Sequence, residues 1–405
     1  LKKNMRILII ANKFPYPSHD GGALATASMI EGLVKAQQDI YLFTMTTPKH
    51  PFDENNLPNY LKHKIIAETC FVDTNIRIRD LLKNFFFKNT PYIAERFYSD
   101  KFNERLIKIL KNNEFDIVQL EGLYLLHLIP LIRQHSSAKV VYRAHNIEHY
   151  IWKRKAKNEI NPIKKFYFLN LANRLQRYLK KYLNTYDGLL SISEPDARIH
   201  KWLGQQKAEI ILPVGLDLSD YFTFTNDSDA IDKLAFIGGL DWLPNQEGLE
   251  WFLTKVWHKV LNNHPHAELH IAGRNCDNAL RSKISTFSNV IFYGEVPSSK
   301  EFLAKHSILI VPLFSGSGIR VKIIEGMAMG KAIITTSIGA EGIPIENNKH
   351  AIIADTINEF ADAINFLINN PEITLQIGNN ARELVKEHFS LEKLTDDLLN
   401  FYKML

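Results

Sequence analysis

Apolar residues along the chain fall into two alternating kinds of run. "RILIIAN", residues 6–12, is continuously apolar and short, which predicts a buried strand, and "GGALATASMIEGLVKA" after it carries its apolar residues at helical spacing. The alternation continues with strand candidates "IYLFTM", "DIVQLE", "KVVYRAH", "GLLSIS" and "EIILPV". It then breaks at "TFTNDSDAID", residues 223–232, a polar stretch that reads as a linker. Beyond it the pattern restarts with "KLAFIGG", "AELHIAG", "NVIFYGEV", "ILIVPLF", "AIITTS" and "AIIAD", with helical stretches between them. Strands separated by helices predict parallel sheets covered on both faces, one sheet in each half. Such sheets bind ligands at the carboxyl ends of their strands. The expected architecture is therefore α/β, with two Rossmann-like domains facing across a cleft. The expected boundaries are 1–222 and 233–388, and the amphipathic stretch "SLEKLTDDLLNFYKML" (with 389–405) is expected to pack back onto the first domain.

Composition narrows the class of protein. A length of 405 residues suggests two to three domains, and 45% hydrophobic with 23% charged residues provides ample core. No apolar run approaches the roughly 18–20 residues of a membrane span. The beginning, "LKKNMRILIIANKFP", lacks a small-residue cleavage site and suits a first strand better than a signal peptide. The two cysteines, Cys70 and Cys276, offer neither metal spacing nor a disulfide framework, which suits a reducing cytoplasm. A formal charge of +5 permits an anionic partner without requiring one.

The stretch "GSGIRVKIIEGMAMGK", residues 316–331, follows a strand candidate and reads as a glycine turn entering a helix, with Gly330 as its stop signal. Arg320 and Lys322 fall in or near the first turn, where the helix dipole disfavours cations by about 0.3–1 kcal/mol each. An anion at the turn would reverse that sign, since free backbone N–H groups and both cations would then share one phosphate-bearing ligand. On an ideal helix the two side chains point about 200° apart, so both reach one ligand only if Arg320 still lies in the turn. The alternative is a solvated pair, with Lys322 bonded to Glu325 at i,i+3.

With its neighbours this stretch, "FSGSGIRVKIIEGMAMGKAIITTSIGAEGI", resembles the donor-site segment of retaining GT-B glycosyltransferases. It is most similar to the large group that includes bacterial mannosyl- and glucosyltransferases of cell-surface polysaccharides. In that family two glutamates stand eight positions apart, and the second binds the ribose of a nucleotide-sugar. Glu325 matches the second, whereas Ser317 stands where the first is expected. The resemblance implies Gly318 and Glu325 at the donor, with Arg320 and Lys322 taking the place of the family's basic residues on the diphosphate. "FPYPSHDGGALATASMIEGL" resembles the family's N-terminal glycine loop, in which Gly21 and Gly22 let a helix start close to the reacting groups. "DGLLSISE" and "ILPVGLDLSDYF" resemble the approach to the linker, with Val214 where the family usually has Asn. "LAFIGGLDWLPNQEGLEWF" and "LHIAGRN" resemble the first two donor-domain strands, adding Gly239, Gly273 and Arg274 to the donor side. The resemblance implies an acceptor-binding first domain, a donor-binding second domain, and transfer with retention from a UDP- or GDP-sugar to a hydroxyl of a glycan or lipid-linked acceptor. No metal or other cofactor is expected, because fixed cations and a helix dipole stabilise the leaving diphosphate.

Two further segments carry candidate chemistry. In "YRAHNIEHYIW", His145, Glu148 and His149 spell H-x-x-E-H, a zinc-peptidase pattern that needs both histidines on one helical face. "KVVYRA" before it is strand-like, which places His145 and Asn146 at a strand end, lining the cleft. Glu148 then caps the next helix or touches substrate, and the alternative is plain capping and turn bonding. Glu121 ends "DIVQLE", where relatives carry a histidine that touches donor or acceptor; it is read as a polar contact, a stabiliser of positive charge, or a solvated carboxylate. Residues 150–185 hold ten Lys or Arg against one acidic residue, Glu159, with aromatics interleaved. That is either a solvated helix face or a basic amphipathic surface for anionic lipid or a lipid-diphosphate acceptor, placing the protein in the cytoplasm with a peripheral membrane contact. No nucleic-acid recognition motif is present. A nucleotide-sugar epimerase or a non-catalytic nucleotide-sugar binding protein would use the same donor site. A dehydrogenase is disfavoured, since no G-x-G-x-x-G follows the first strand.

Overall fold

The computed structural model describes residues 4–18, 20–221, 231–316 and 318–405. Ser317 and most of the expected linker 223–232 lie outside the described residues. The chain forms two compact units, one of residues 1–215 with 391–405 and one of residues 216–390.

The first unit is built on seven parallel strands: β1 (Arg6–Ala11), β2 (Asp39–Thr46), β3 (Ile65–Phe71), β4 (Ile117–Glu121), β5 (Lys139–Ala144), β6 (Gly188–Ser191) and β7 (Ala208–Ile211). Their order across the sheet is β3-β2-β1-β4-β5-β6-β7. Ile7, Leu8, Ile9 and Ile10 of β1 are fully buried, so both faces of the strand are covered, as its unbroken apolar run requires. Each such side chain contributes about 1.5–3 kcal/mol of transfer free energy. Chain order reverses between β1 and β4, and the register pairs Ala11 with Glu121 and Glu121 with Arg143 at the carboxyl ends. That reversal is the crevice in which open α/β sheets hold ligands.

The C-terminal helix Leu391–Met404 belongs to this first unit. It buries Leu394, Leu398 and Phe401 in the same cluster as Ile30 and Leu33 of the helix Gly21–Lys35. Glycines make its seat. A Cβ at Gly32 would stand 2.1 Å from Thr395 Oγ1, at Gly188 2.8 Å from the Phe401 ring, and at Gly215 3.1 Å from Leu391 Cα.

The second unit has six parallel strands: β8 (Lys233–Ile237), β9 (Glu268–Ala272), β10 (Val290–Gly294), β11 (Ile308–Val311), β12 (Ala332–Thr335) and β13 (Ile352–Ile353), in the order β10-β9-β8-β11-β12-β13. Its order reverses between β8 and β11. The helix Val321–Ala328 follows β11 across the glycine turn and ends at Gly330, which has φ 70° and closes the last turn through Gly330 N to Met327 O at 2.9 Å.

Candidate functional site

Candidate residues gather at the switch point of each unit. In the first, Asp20 caps the helix Gly21–Lys35 by accepting from Ala23 N at 3.0 Å, and Lys13 bonds the same carboxylate. The helix therefore begins beside the ends of β1 and β4. One turn in, Thr26 Oγ1 donates to Glu121 Oε2 at 2.7 Å. His145, which follows β5, places Nε2 2.8 Å from the same oxygen, and the fully buried Arg143 guanidinium lies 3.7 Å away. Burial alone would raise the Glu121 pKa, but Arg143, His145 and Thr26 outweigh it and pull the pKa down to about 2. An ionised carboxylate only accepts, so Nε2 of His145 is the donor in this bond and Nδ1 is the ring nitrogen it leaves over. Nδ1 lies on the side of Gly22, where an added Cβ would come within 4.0 Å. Gln119 and Tyr402 extend the network: Gln119 bonds the other Glu121 oxygen and accepts from the Tyr402 hydroxyl of the C-terminal helix.

A cavity of about 640 Å³ opens over these groups, lined among others by Gly22, Thr26, Glu121, His145, Asn146 and Glu148. Glu148 begins the helix Glu148–Asn158 and accepts from Tyr124 Oη at 2.9 Å, and burial raises its pKa. At Gly21 a Cβ would meet nothing within 4 Å, so that position leaves open space. The H-x-x-E-H spacing is not a helical pair. His145 precedes the helix while His149 is buried within it, and among the described residues no group of three or more His, Cys, Asp or Glu is arranged to hold a metal.

In the second unit Arg320 sits just before the helix Val321–Ala328, with φ −85° and ψ 87°. It is thus still in the turn, which removes the 200° conflict with Lys322. Its guanidinium bonds the Gly318 carbonyl. Lys322 is no solvated partner of Glu325. Its Nζ donates to Asn245 Oδ1 at 2.8 Å and to Ile237 O at 3.2 Å, and lies 5.1 Å from the centre of the Phe236 ring. Desolvation, with Arg320 as the second cause, pushes its pKa down to about 7. Glu325 accepts from Tyr221 Oη at 3.0 Å, and burial raises its pKa. Lys300 lies 4.3 Å from the centre of the Tyr221 ring and pairs with Asp220 at 2.9 Å.

Glycines surround these cations because other residues would fill the space. A Cβ at Gly238 would meet Asn245 Nδ2 at 2.6 Å and Lys322 Nζ at 3.1 Å. At Gly316, with φ 107°, it would press on the Trp242 ring at 3.1 Å. Gly239 accepts from Asn245 Nδ2 at 2.8 Å, and Gly273 lets its backbone pass the Gly238 carbonyl, 2.3 Å from where a Cβ would stand. Arg274 is half-buried, and its carbonyl accepts from Leu240 N at 2.9 Å.

Thr26, Arg143, Tyr221 and Asn245 belong to these constellations and were not singled out by sequence reasoning. Only Thr26, one turn beyond Gly22 on a helix expected to approach the site, carried a usable signal.

Two parallel α/β units, each with its polar cluster at a switch point, define the GT-B class. Residues 231–370 match the family model of group 1 glycosyl transferases. The fold is similar to that of HepE from Anabaena in complex with UDP, with a TM-score of 0.67 at 14% identity over 99% of this chain and 100% of that one. It is similar, too, to sucrose-phosphate synthase from Thermosynechococcus elongatus, with a TM-score of 0.68 at 15% identity over 98% of both chains. Among sequences, an uncharacterised 44.6 kDa protein in the cps region of Klebsiella pneumoniae is 27% identical over 96% of this chain and 97% of its own. An uncharacterised glycosyltransferase of Haemophilus influenzae is 24% identical over 62% of this chain and 69% of its own. The chain has the GT-B fold, and the residues similar to the group 1 glycosyl transferases lie in its second unit.

Proposed function

We propose that the protein transfers a sugar, with retention, from a UDP- or GDP-sugar bound by the second unit to a hydroxyl acceptor held by the first. The observation that carries this reading is the turn at Gly316–Lys322. Two cations are held at a helix start, one of them desolvated, and a buried carboxylate follows one turn later. That arrangement is costly without an anion and favourable with one. Arg320 and Lys322 take the diphosphate, Glu325 takes the ribose hydroxyls, and Gly238, Gly239, Gly273 and Gly318 let backbone approach the ligand. Arg274 and Ser317 are assigned to the donor by resemblance. The likeness in fold to structures that hold UDP and UDP-glucose supports this assignment.

As the glycosidic bond breaks, negative charge grows on the leaving diphosphate, and fixed cations stabilise it without reorganisation. The departing phosphate accepts the acceptor's proton. In the first unit His145, held by Glu121, lines the acceptor side together with Asn146 and Glu148, which supply polar walls. The acceptor is a glycan or a lipid-linked sugar of a surface polysaccharide, a reading that the relative in the cps region supports.

The test is a panel of UDP- and GDP-sugars read by thermal shift, followed by product analysis with and without acceptor. Nucleotide should raise the melting temperature of the parent, and the shift should shrink in the Arg320→Gln/Lys322→Gln double variant, since ligand stabilisation follows affinity. Sugar should appear on the acceptor with unchanged anomeric configuration, and EDTA should leave the rate intact. Epimerised nucleotide-sugar formed without acceptor would replace the transferase reading by an epimerase. Binding without turnover would leave a binding protein. An unchanged nucleotide response in the double variant would remove the two cations from the donor site.

A further inference from the structure

The first unit carries a surface that the candidate site does not use. The helix Ile78–Phe87 exposes Ile78, Leu82, Phe86 and Phe87, the last two at 70% and 85%. The helix Pro162–Tyr182 exposes Ile163 and Phe166. The two helices are joined. Arg174 of the second donates to Asn84 O at 3.1 Å and Asn84 Oδ1 at 2.8 Å, and Phe85 stacks on Tyr167 with ring centres 6.3 Å apart. The rings then run on through Phe168 to Trp152, with Lys155 Nζ 4.8 Å from the centre of the Phe168 ring. Single exposed apolar residues need no explanation, but a continuous strip of large ones marks an interaction surface.

Charge says what covers it. Arg79, Lys83, Lys155, Lys157, Lys164 and Lys165 are all exposed around the strip, against the acidic Asp80 on the helix Ile78–Phe87 and Glu159 within residues 150–185. A second copy docking by the same face would bring these cations together, because a two-fold contact is self-complementary in surface and so repeats its charge. An anionic bilayer has the opposite sign and an apolar interior, and it takes apolar side chains into the acyl boundary while lysines reach the phosphates. The strip also continues into the candidate acceptor cavity. Thr74, Asn75 and Ile76 line that cavity, and the helix Ile78–Phe87 starts two residues later. Arg96, another cavity residue, fixes this wall by donating to Thr74 O at 2.7 Å.

We propose that the strip formed by the helices Ile78–Phe87 and Pro162–Tyr182 docks the protein on an anionic phospholipid bilayer, with the acceptor cavity opening beside the contact. The lysines find the surface and the phenylalanines enter it. The basic segment therefore works together with a helix outside it, since Phe86 and Phe87 lie far earlier in the chain.

The test is co-sedimentation of the full chain with vesicles of phosphatidylcholine alone and of equal parts phosphatidylcholine and phosphatidylglycerol. The parent should pellet with the anionic vesicles at low salt and be released as salt rises. Phe86→Ser with Phe87→Ser, and separately Lys164→Glu with Lys165→Glu, should each weaken partitioning about tenfold or more. Both pairs change exposed side chains, so the melting temperature should hold, and the two pairs guard against one failing to fold. A parent that ignores anionic vesicles, or variants that bind as the parent does, would overturn the proposal. So would a parent that sediments as a dimer and becomes monomeric in the phenylalanine variant, which would make the face a contact between copies. Vesicle binding needs neither donor nor turnover, so its failure would leave the transferase reading standing.

Discussion

Lys322 has a depressed pKa because its ammonium is enclosed by Asn245, the Ile237 carbonyl and the Phe236 ring, with Arg320 adding repulsion. Between about 7 and the ordinary value of 10.5 the unfolded chain binds a proton that the folded unit lacks, so stability rises with pH across that window. A bound diphosphate favours the charged form, and binding above pH 7 must then take up a proton. Titration calorimetry of UDP or GDP at pH 8 in buffers of different ionisation enthalpy should show it, and Lys322→Gln should abolish it. Identical heats in both buffers would show that Lys322 does not recharge. Glu121 has the same sign in a lower window. Its stabilisation is present above the ordinary carboxylate value of 4.5 and is lost as pH falls toward about 2. Glu121→Gln leaves Arg143 buried without its counter-charge and should cost about 3–5 kcal/mol in a denaturant melt. His145→Asn should leave the melt nearly unchanged while slowing transfer. Sequence could mark Arg320 and Lys322, because cations beside a glycine turn break a local rule, and Glu325 through its match to the second glutamate of the family it resembles. It could not mark Asn245 or Tyr221, ordinary residues whose meaning lies in what they touch 77 and 104 positions away.

At the scale of elements, the buried strands were legible because covering both faces demands unbroken apolar runs, as in β1, β5 and β11. β3 was not. It lies at the sheet edge with Ile66 and Phe71 exposed and Glu68 within it, so its run looks like no core strand. The helix Ile78–Phe87 escaped for a related reason, since its apolar side chains face outward and leave no inward stripe to detect. The seat of the C-terminal helix was legible only in part. "SLEKLTDDLLNFYKML" shows an amphipathic face, but nothing local shows that Gly32 is glycine for its sake. Gly32→Leu should therefore destabilise the first unit by about 1–3 kcal/mol or more, through the cost of overpacking against Leu391 and Thr395. Gly21→Ala, where a Cβ meets nothing, should leave stability within about 0.5 kcal/mol. Equal melting temperatures for the two variants would show that the seat yields freely.

At the scale of the whole molecule, the first unit is assembled from two stretches of chain with the entire second unit inserted between them. Removing residues 391–405 should uncover Ile30 and Leu33, take Tyr402 from Gln119, and loosen the carboxylate Glu121 at the far end of that bond network. Hydrogen exchange should show β1, β4 and the helix Gly21–Lys35 losing protection in the truncated chain, whereas β8 and β11 keep theirs. Equal protection in β1 and β4 would mean that the helix is ornamental to that core. The same layout imposes an order on synthesis. A ribosome that has just finished Gly215 has delivered every strand of the first sheet but not the helix that closes over it. At roughly 5–20 residues per second, residues 216–390 take on the order of 10–35 s to emerge. Throughout that interval the nascent first unit keeps an open apolar seat, a target for chaperones and for other half-made copies, and the first unit becomes complete only after the second has left the ribosome.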